Sequence, residues 1–204
     1  MLDKARVAVL VSGGGTNLQA IIDAEKSGVI KSGEVVLVVS NNKDAYALER
    51  AKTNGIETAV MLRSDYGSRA EFCDALGDFL EEKKIDLIVL AGFMCILTKG
   101  FTDRFTERII NVHPSLIPSF CGEGFYGLKV HEEALKYGVK VSGATVHFAN
   151  EVPDGGRIIF QKAVDVLEGD TPEILQKRIM EQAEWILLPK AVEKISAEIV
   201  EKRS

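Results

Sequence analysis

In the first half of the chain the apolar residues gather into short runs, 6–11, 34–40, 57–61 and 87–90, separated by longer stretches, 17–27, 44–54 and 68–84, with amphipathic spacing. Segments such as VAVLV, VVLVV and LIVL have no polar face, and a strand tolerates that only where helices cover both sides of its sheet. The alternation predicts βαβαβαβ and therefore a doubly wound, Rossmann-like α/β sheet, mostly parallel. Beyond residue 108 the rhythm changes. Residues 109–112 read as another buried strand, followed by about thirty residues of loop and short helix. Two further strands, 142–148 and 158–166, flank NEVPDGG, whose Pro-Asp-Gly is a hairpin signal, so the sheet should end in an antiparallel element. A final helix is expected from Asp170 or Thr171 as N-cap, with Pro172 in its first turn, running to the C-terminus.

Composition narrows the class. A chain of 204 residues without a linker, its five prolines all in the second half, is expected to form one domain, 1–204. Lys plus Arg number 25 against 30 Asp plus Glu, a net charge of −5, so no global basic field exists to hold a nucleic acid backbone. The longest nearly apolar run, 85–97, carries Asp86 and falls short of the roughly 20 residues that span a bilayer. The N-terminus lacks the basic and apolar regions of a signal peptide, and the scattered Cys73, Cys95 and Cys121 form no CxxC spacing. A cytoplasmic protein, with no nucleic acid or membrane partner, is the expectation.

Three segments carry candidate chemistry. VAVLVSGGGTNLQAII is a strand, a glycine turn and a helix start, and backbone N–H groups at such a turn can cradle an anion. No lysine follows Gly15, which disfavours a nucleoside triphosphate. Leu18 stands where a dinucleotide fingerprint needs glycine, and no acidic residue closes the second strand at Ser40, Asn41 and Asn42. A small phosphomonoester fits better. In IINVHPSLIP, Asn111 and His113 lie two apart at a strand end and share a face, with Pro114 holding His113 extended. An amide donor beside a group that titrates near neutrality suits acyl transfer, although a structural polar cap is the competing possibility. In GATVHFANEVPDGG, Asp154 taken alone is a turn former and His147 a hydrogen-bonded structural histidine. The histidines and cysteines show no metal spacing.

Taken in order, SGGGTN, AGFMCIL, NVHPSLIPSF and GATVHFANEVPDGG resemble the phosphoribosylglycinamide formyltransferases, over about 6–192. The resemblance implies transfer of a formyl group from 10-formyltetrahydrofolate to the amine of glycinamide ribonucleotide, without metal, by a monomer or homodimer. It implies a phosphate- and ribonucleotide-binding half, 1–110, and a catalytic and folate-binding half, 111–204. Its catalytic Asn, His and Asp fall on Asn111, His113 and Asp154, its phosphate contacts on Gly15, Thr16 and Asn17, and a ribose contact on Glu184. Folate contacts fall on Arg69, Met94, Cys95, Ile96, Leu97, Asn111, Asn150 and Asp154. Cys95 stands where the family frequently has arginine, and the glycine- and aromatic-rich stretch 120–129 is longer than in many relatives and suggests a flap. Formyltetrahydrofolate hydrolase and methionyl-tRNA formyltransferase resemble this chain plus a further domain. A nucleotide-binding module that has lost catalysis is the non-enzymatic alternative.

Overall fold

The computed structural model describes residues 4–203. Seven strands, β1 (Ala5–Val11), β2 (Gly33–Ser40), β3 (Glu57–Val60), β4 (Leu87–Leu90), β5 (Ile109–His113), β6 (Val141–Phe148) and β7 (Ile158–Asp165), form one sheet. Its order is β3-β2-β1-β4-β5-β6-β7, parallel through β5 and antiparallel at β5–β6 and β6–β7, as the sequence predicts. Around it lie α1 (Thr16–Lys26), α2 (Tyr46–Thr53), α3 (Arg69–Glu82), α4 (Lys99–Arg104), α5 (Leu128–Tyr137), α6 (Pro172–Ile179) and α7 (Trp185–Glu201).

The unbroken apolar runs follow from cores on both faces. Val7, Val9 and Val11 of β1 join Ile21 of α1 and Leu188 and Val192 of α7. The alternate residues Ala8 and Leu10 join Phe72 and Leu76 of α3 and Phe101 of α4 on the opposite face. Each fully buried Val or Leu contributes about 1.5–3 kcal/mol, which is what holds a sheet of short strands. No described helix is long and apolar enough to cross a membrane.

The strand order reverses at β1, so the chain leaves β1 toward β2 but returns on its other side at β4. The loops after β1 and β4 therefore diverge and open a crevice at the carboxyl ends of the strands. Gly15 at the mouth of that crevice has φ of 72°, and a Cβ there would lie 2.6 Å from the Ala47 Cβ, so the turn needs glycine.

Two elements depart from expectation. The six residues of α4, N-capped by Thr98, are too few to show a helical period. Helix α5, bounded by Gly127 and Gly138, falls in the stretch where loop and short helix are expected. The last helix begins as predicted, with the Thr171 hydroxyl accepting from the Ile174 N–H, but is interrupted by a π-helical turn, Met180–Glu184. Pro189 has no N–H to give the carbonyl one turn upstream, and the widened turn stands just before that gap in the ladder.

Gly156, in the β6–β7 turn, is fixed by close approach, since a Cβ there would sit 1.7 Å from the Phe148 carbonyl oxygen. Gly156→Ala should destabilise the domain by about 1–3 kcal/mol. Thermal unfolding should therefore show a melting point lower by several degrees, at roughly 2–4 °C per kcal/mol for a domain of this size.

Candidate active site

Strand β5 ends at the crevice, and its period of two points both Asn111 and His113 at the same acceptor, the Asp154 carboxylate. Asn111 Nδ2 lies 3.4 Å from Asp154 Oδ1, and His113 Nδ1 lies 3.4 Å from Asp154 Oδ2. Asp154 reaches them from the β6–β7 turn, where its φ of 56° places it in the left-handed region that Asp tolerates better than most residues. His147 of β6 stands opposite Asn111 in the sheet register and brings Nε2 to within 3.5 Å of Asp154 Oδ1. A β-bulge at this point skips one residue of β7 beside His147, an irregularity that re-aims side chains at a sheet end.

The stretch after β5 completes the group with backbone atoms. The Gly122 N–H donates to Asp154 Oδ2 at 2.9 Å, and His113 Nε2 donates to the Phe120 carbonyl at 2.8 Å. A carbonyl only accepts, so the neutral imidazole keeps its hydrogen on Nε2 and turns a bare Nδ1 toward the carboxylate. A proton arriving at His113 therefore lands on Nδ1, facing Asp154. His147 is held by the same logic. Its Nδ1 donates to the Phe148 carbonyl at 2.8 Å, leaving Nε2 to accept from Asn111 Nδ2 at 3.3 Å. Both Asn111 contacts are long, so a stronger acceptor entering the cavity can take over one of them.

Burial sets the charges. It pushes the His113 pKa below the usual imidazole value, outweighing the upward pull of Asp154 and the Phe120 carbonyl. The net rise expected from a neighbouring carboxylate is not realised. Burial also opposes ionisation of Asp154, but the His147 and His113 imidazoles beside it, positive when protonated, and the Gly122 N–H overcome it and hold the acid below its ordinary range. His131 of α5 is fully buried in the same wall, with neither ring nitrogen hydrogen-bonded to protein, and burial takes its pKa down to about 4.

These groups line a cavity of about 790 Å³, whose wall also includes Asn17, Glu184, Met94, Cys95 and Ile96. The size suits two small molecules or one of drug size. Asn17 Nδ2 donates to Glu184 Oε2 at 2.7 Å, tying the glycine loop to the π turn. Burial raises the Glu184 pKa to about 7, only partly opposed by that hydrogen bond. On Gly13 and Gly14 an added Cβ would meet nothing within 4 Å, so open space adjoins the loop, while Arg50 Nε donates to the Gly14 carbonyl at 2.8 Å.

Of the residues singled out in the sequence, Asn17, Met94, Cys95, Ile96, Asn111, His113, Asp154 and Glu184 converge on this cavity. Thr16 faces a smaller recess beside Gln19 and Arg50. Leu97 is buried in the core instead, and Arg69 and Asn150 lie outside the cavity wall, Arg69 opening α3 and Asn150 bonding the Val152 N–H within its loop. His147, His131 and the Phe120 and Gly122 backbone were not assigned to the site from sequence.

A doubly wound sheet presenting an amide, an imidazole and an ionised carboxylate at its switch-point crevice defines a Rossmann-like group-transfer enzyme. The formyl transferase family model matches residues 5–192, and the chain belongs to that family. It is 46% identical over 177 residues to the phosphoribosylglycinamide formyltransferase of Haemophilus influenzae, covering 87% of this chain and 81% of that one. It is 45% identical to the trifunctional purine biosynthetic protein adenosine-3 of Gallus gallus over 98% of this chain, but spans 19% of that protein's length. The crystal structure of glycinamide ribonucleotide transformylase 1 from Symbiobacterium toebii superposes with a TM-score of 0.89 at 43% identity, covering 96% of this chain and 89% of that one.

Glu184 generates a signed prediction. A carboxyl whose folded pKa is raised to about 7 contributes stability that is full below its unfolded value and lost as pH rises through the folded one. Between pH 4.5 and 7 the wild type should lose up to about 3 kcal/mol relative to Glu184→Gln. Urea unfolding of both proteins at pH 5 and pH 8 measures that difference.

Proposed function

We propose that this protein transfers the formyl group of 10-formyltetrahydrofolate to the primary amine of glycinamide ribonucleotide, a step of purine biosynthesis. The observation that carries the assignment is the convergence of Asn111, His113 and Asp154 on one cavity bordered by the glycine loop, in a chain of this family. The ribonucleotide enters on the 1–110 side, with its phosphate on the backbone of Gly15, Thr16 and Asn17 and its ribose on Glu184. The folate enters on the 94–97 and 150–154 side, its acidic tail toward Arg69, and the 111–204 half supplies the catalytic groups.

The substrate amine attacks the formyl carbon. Asn111 exchanges one of its long amide contacts for the developing oxyanion, a donor worth about 10² to 10³-fold. The amine must shed a proton and the departing folate nitrogen must gain one. His113 Nδ1, neutral at rest and facing Asp154, relays that proton, and the carboxylate stabilises the imidazolium formed in passing. No covalent enzyme intermediate is required, because amine and formyl carbon are held side by side and alignment supplies much of the rate.

His113→Ala and Asp154→Asn should each lower formyl transfer by about 10² to 10⁴-fold, followed by release of the deformylated folate. Wild-type rates in both would remove the mechanism. Glycinamide ribonucleotide should raise the melting temperature of the wild type, and Thr16→Glu, which sets a negative charge at the phosphate loop, should abolish that response.

A further inference from the structure

Phe120 stands at the joint between an anchored segment and the glycine-rich flap. Upstream of it the chain is bound to the last two strands. The Ile117 N–H donates to the Thr145 hydroxyl at 3.1 Å, that hydroxyl donates to the Ser115 carbonyl at 2.7 Å, and Gln161 Nε2 donates to the Ile117 carbonyl at 3.0 Å. The Ser115 hydroxyl then donates to the Ser119 carbonyl, one residue before Phe120. Downstream, the Gly122 N–H is taken by Asp154. Between these anchors lies the carbonyl that receives the hydrogen of His113 Nε2 at 2.8 Å.

Phe120 holds its place with a φ of 49°, in the left-handed region that a bulky side chain rarely occupies. Such a conformation persists where its surroundings fix it, and here two rings do so. Phe125 of the flap meets the Phe120 ring at a centroid distance of 6.4 Å and an interplanar angle of 61°, and Tyr137, the last residue of α5, meets it at 6.0 Å and 74°. Both are edge contacts, which the ring quadrupoles favour. Rotation about the N–Cα bond of Phe120 carries its ring and its carbonyl together, because both hang from Cα. Whatever holds the ring therefore holds the carbonyl.

We propose that Phe120 is a positioning residue: its clasped ring keeps its own carbonyl on His113 Nε2, and so keeps Nδ1 bare to receive the proton in transfer. The lock on the imidazole stands by itself; its effect on turnover rests on the formyl-transfer assignment above. The Asp154 carboxylate, 3.4 Å from Nδ1, favours a hydrogen on that nitrogen, where it would block the relay. The bond to Phe120 opposes it, since a carbonyl can only accept and the bond forms only when Nε2 carries the hydrogen. Phe125 also lines the cavity, so the flap is joined to the imidazole through two rings.

Long-range proton–nitrogen NMR of protein labelled at its three histidines reads the tautomer of each ring at about pH 8, where neutral imidazole prevails. Wild-type protein should show His113 with its hydrogen on Nε2. His147, which donates from Nδ1 to the Phe148 carbonyl, should carry its hydrogen on Nδ1 and serves as the internal control. Phe120→Ala should move His113 toward the Nδ1 form, leave His147 unchanged and lower kcat about tenfold with both KM values unchanged. Phe120→Tyr, which keeps the ring, should retain the wild-type spectrum and rate. Tyr137 is 81% exposed, so the fold tolerates Tyr137→Ala, which should shift His113 in the same direction with about a threefold loss of kcat. Wild-type protein with the His113 hydrogen on Nδ1 overturns the proposal, as does Phe120→Ala with an unchanged tautomer, or with a shifted tautomer and wild-type kcat. A raised KM with the tautomer intact marks a purely structural role and overturns it too. If Phe120→Ala fails to fold, Tyr137→Ala decides by the same readings. If the wild type transfers no formyl group, the functional assignment falls while the spectra still decide the lock.

Discussion

The constraint on which the site depends is the solvation of one buried carboxylate. The Asp154 side chain is only 11% exposed, and an anion in that setting is costly unless protein donors replace the water it has lost. Its partners come from three separate segments: the Asn111 amide of β5 and the Gly122 N–H of the loop before α5 donate to it, and His147 of β6 lies 3.5 Å away. His113 Nδ1 faces Oδ2, the oxygen that also accepts from Gly122. None of these segments can drift without leaving the carboxylate short of a partner, so ionising Asp154 and ordering the site are one event. The loop that resembles a flap in sequence is thereby part of the site's frame as well as its cover.

The same requirement explains why the sheet changes direction where it does. Parallel strands place every loop after a strand at one edge, which suits the glycine turn after β1 and the segment after β4. A group that must return to face β5 from beyond it needs a strand running the other way. Strand β6 pairs antiparallel with β5 and sets His147 opposite Asn111, and the turn into β7 then carries Asp154 back over that edge. The glycine loop and the Asn111, His113 and Asp154 group thus meet at one edge of a single sheet, and the Asn17–Glu184 hydrogen bond ties that loop to the π turn.

Much of this was legible in the sequence for identifiable reasons. Strands covered on both faces leave unbroken apolar runs, and β1, β2 and β4 were visible on that account alone. Asn111 and His113 could be paired because a strand's period is two. Asp154 could not be tied to them from spacing, since a lone Asp in Pro-Asp-Gly is a turn former; the resemblance to a family supplied that link. Phe120 and Gly122 act through backbone atoms, which leave no mark on residue type. Helix α4 was too short to show a period, and the π turn became visible only once its ladder was traced. The resemblance also matched folate contacts to Leu97, Arg69 and Asn150; the core takes the Leu97 side chain, and Arg69 and Asn150 stand outside the cavity wall.

The cavity's electrostatics follow from the number of donors each group meets. His113, His131 and Glu184 are all buried in its wall, and burial displaces each toward its neutral form. Glu184 meets a single donor, Asn17, and desolvation wins. Asp154 meets several, and ionisation wins. Among these four groups the negative charge is therefore held at one place, beside the bare nitrogen of a neutral imidazole. A proton released beside that carboxylate has a defined destination, His113 Nδ1, while Glu184, raised to about 7, becomes neutral as the pH falls below that value. One desolvating pocket thus gives two opposite protonation states, Asp154 ionised and Glu184 largely protonated below about pH 7.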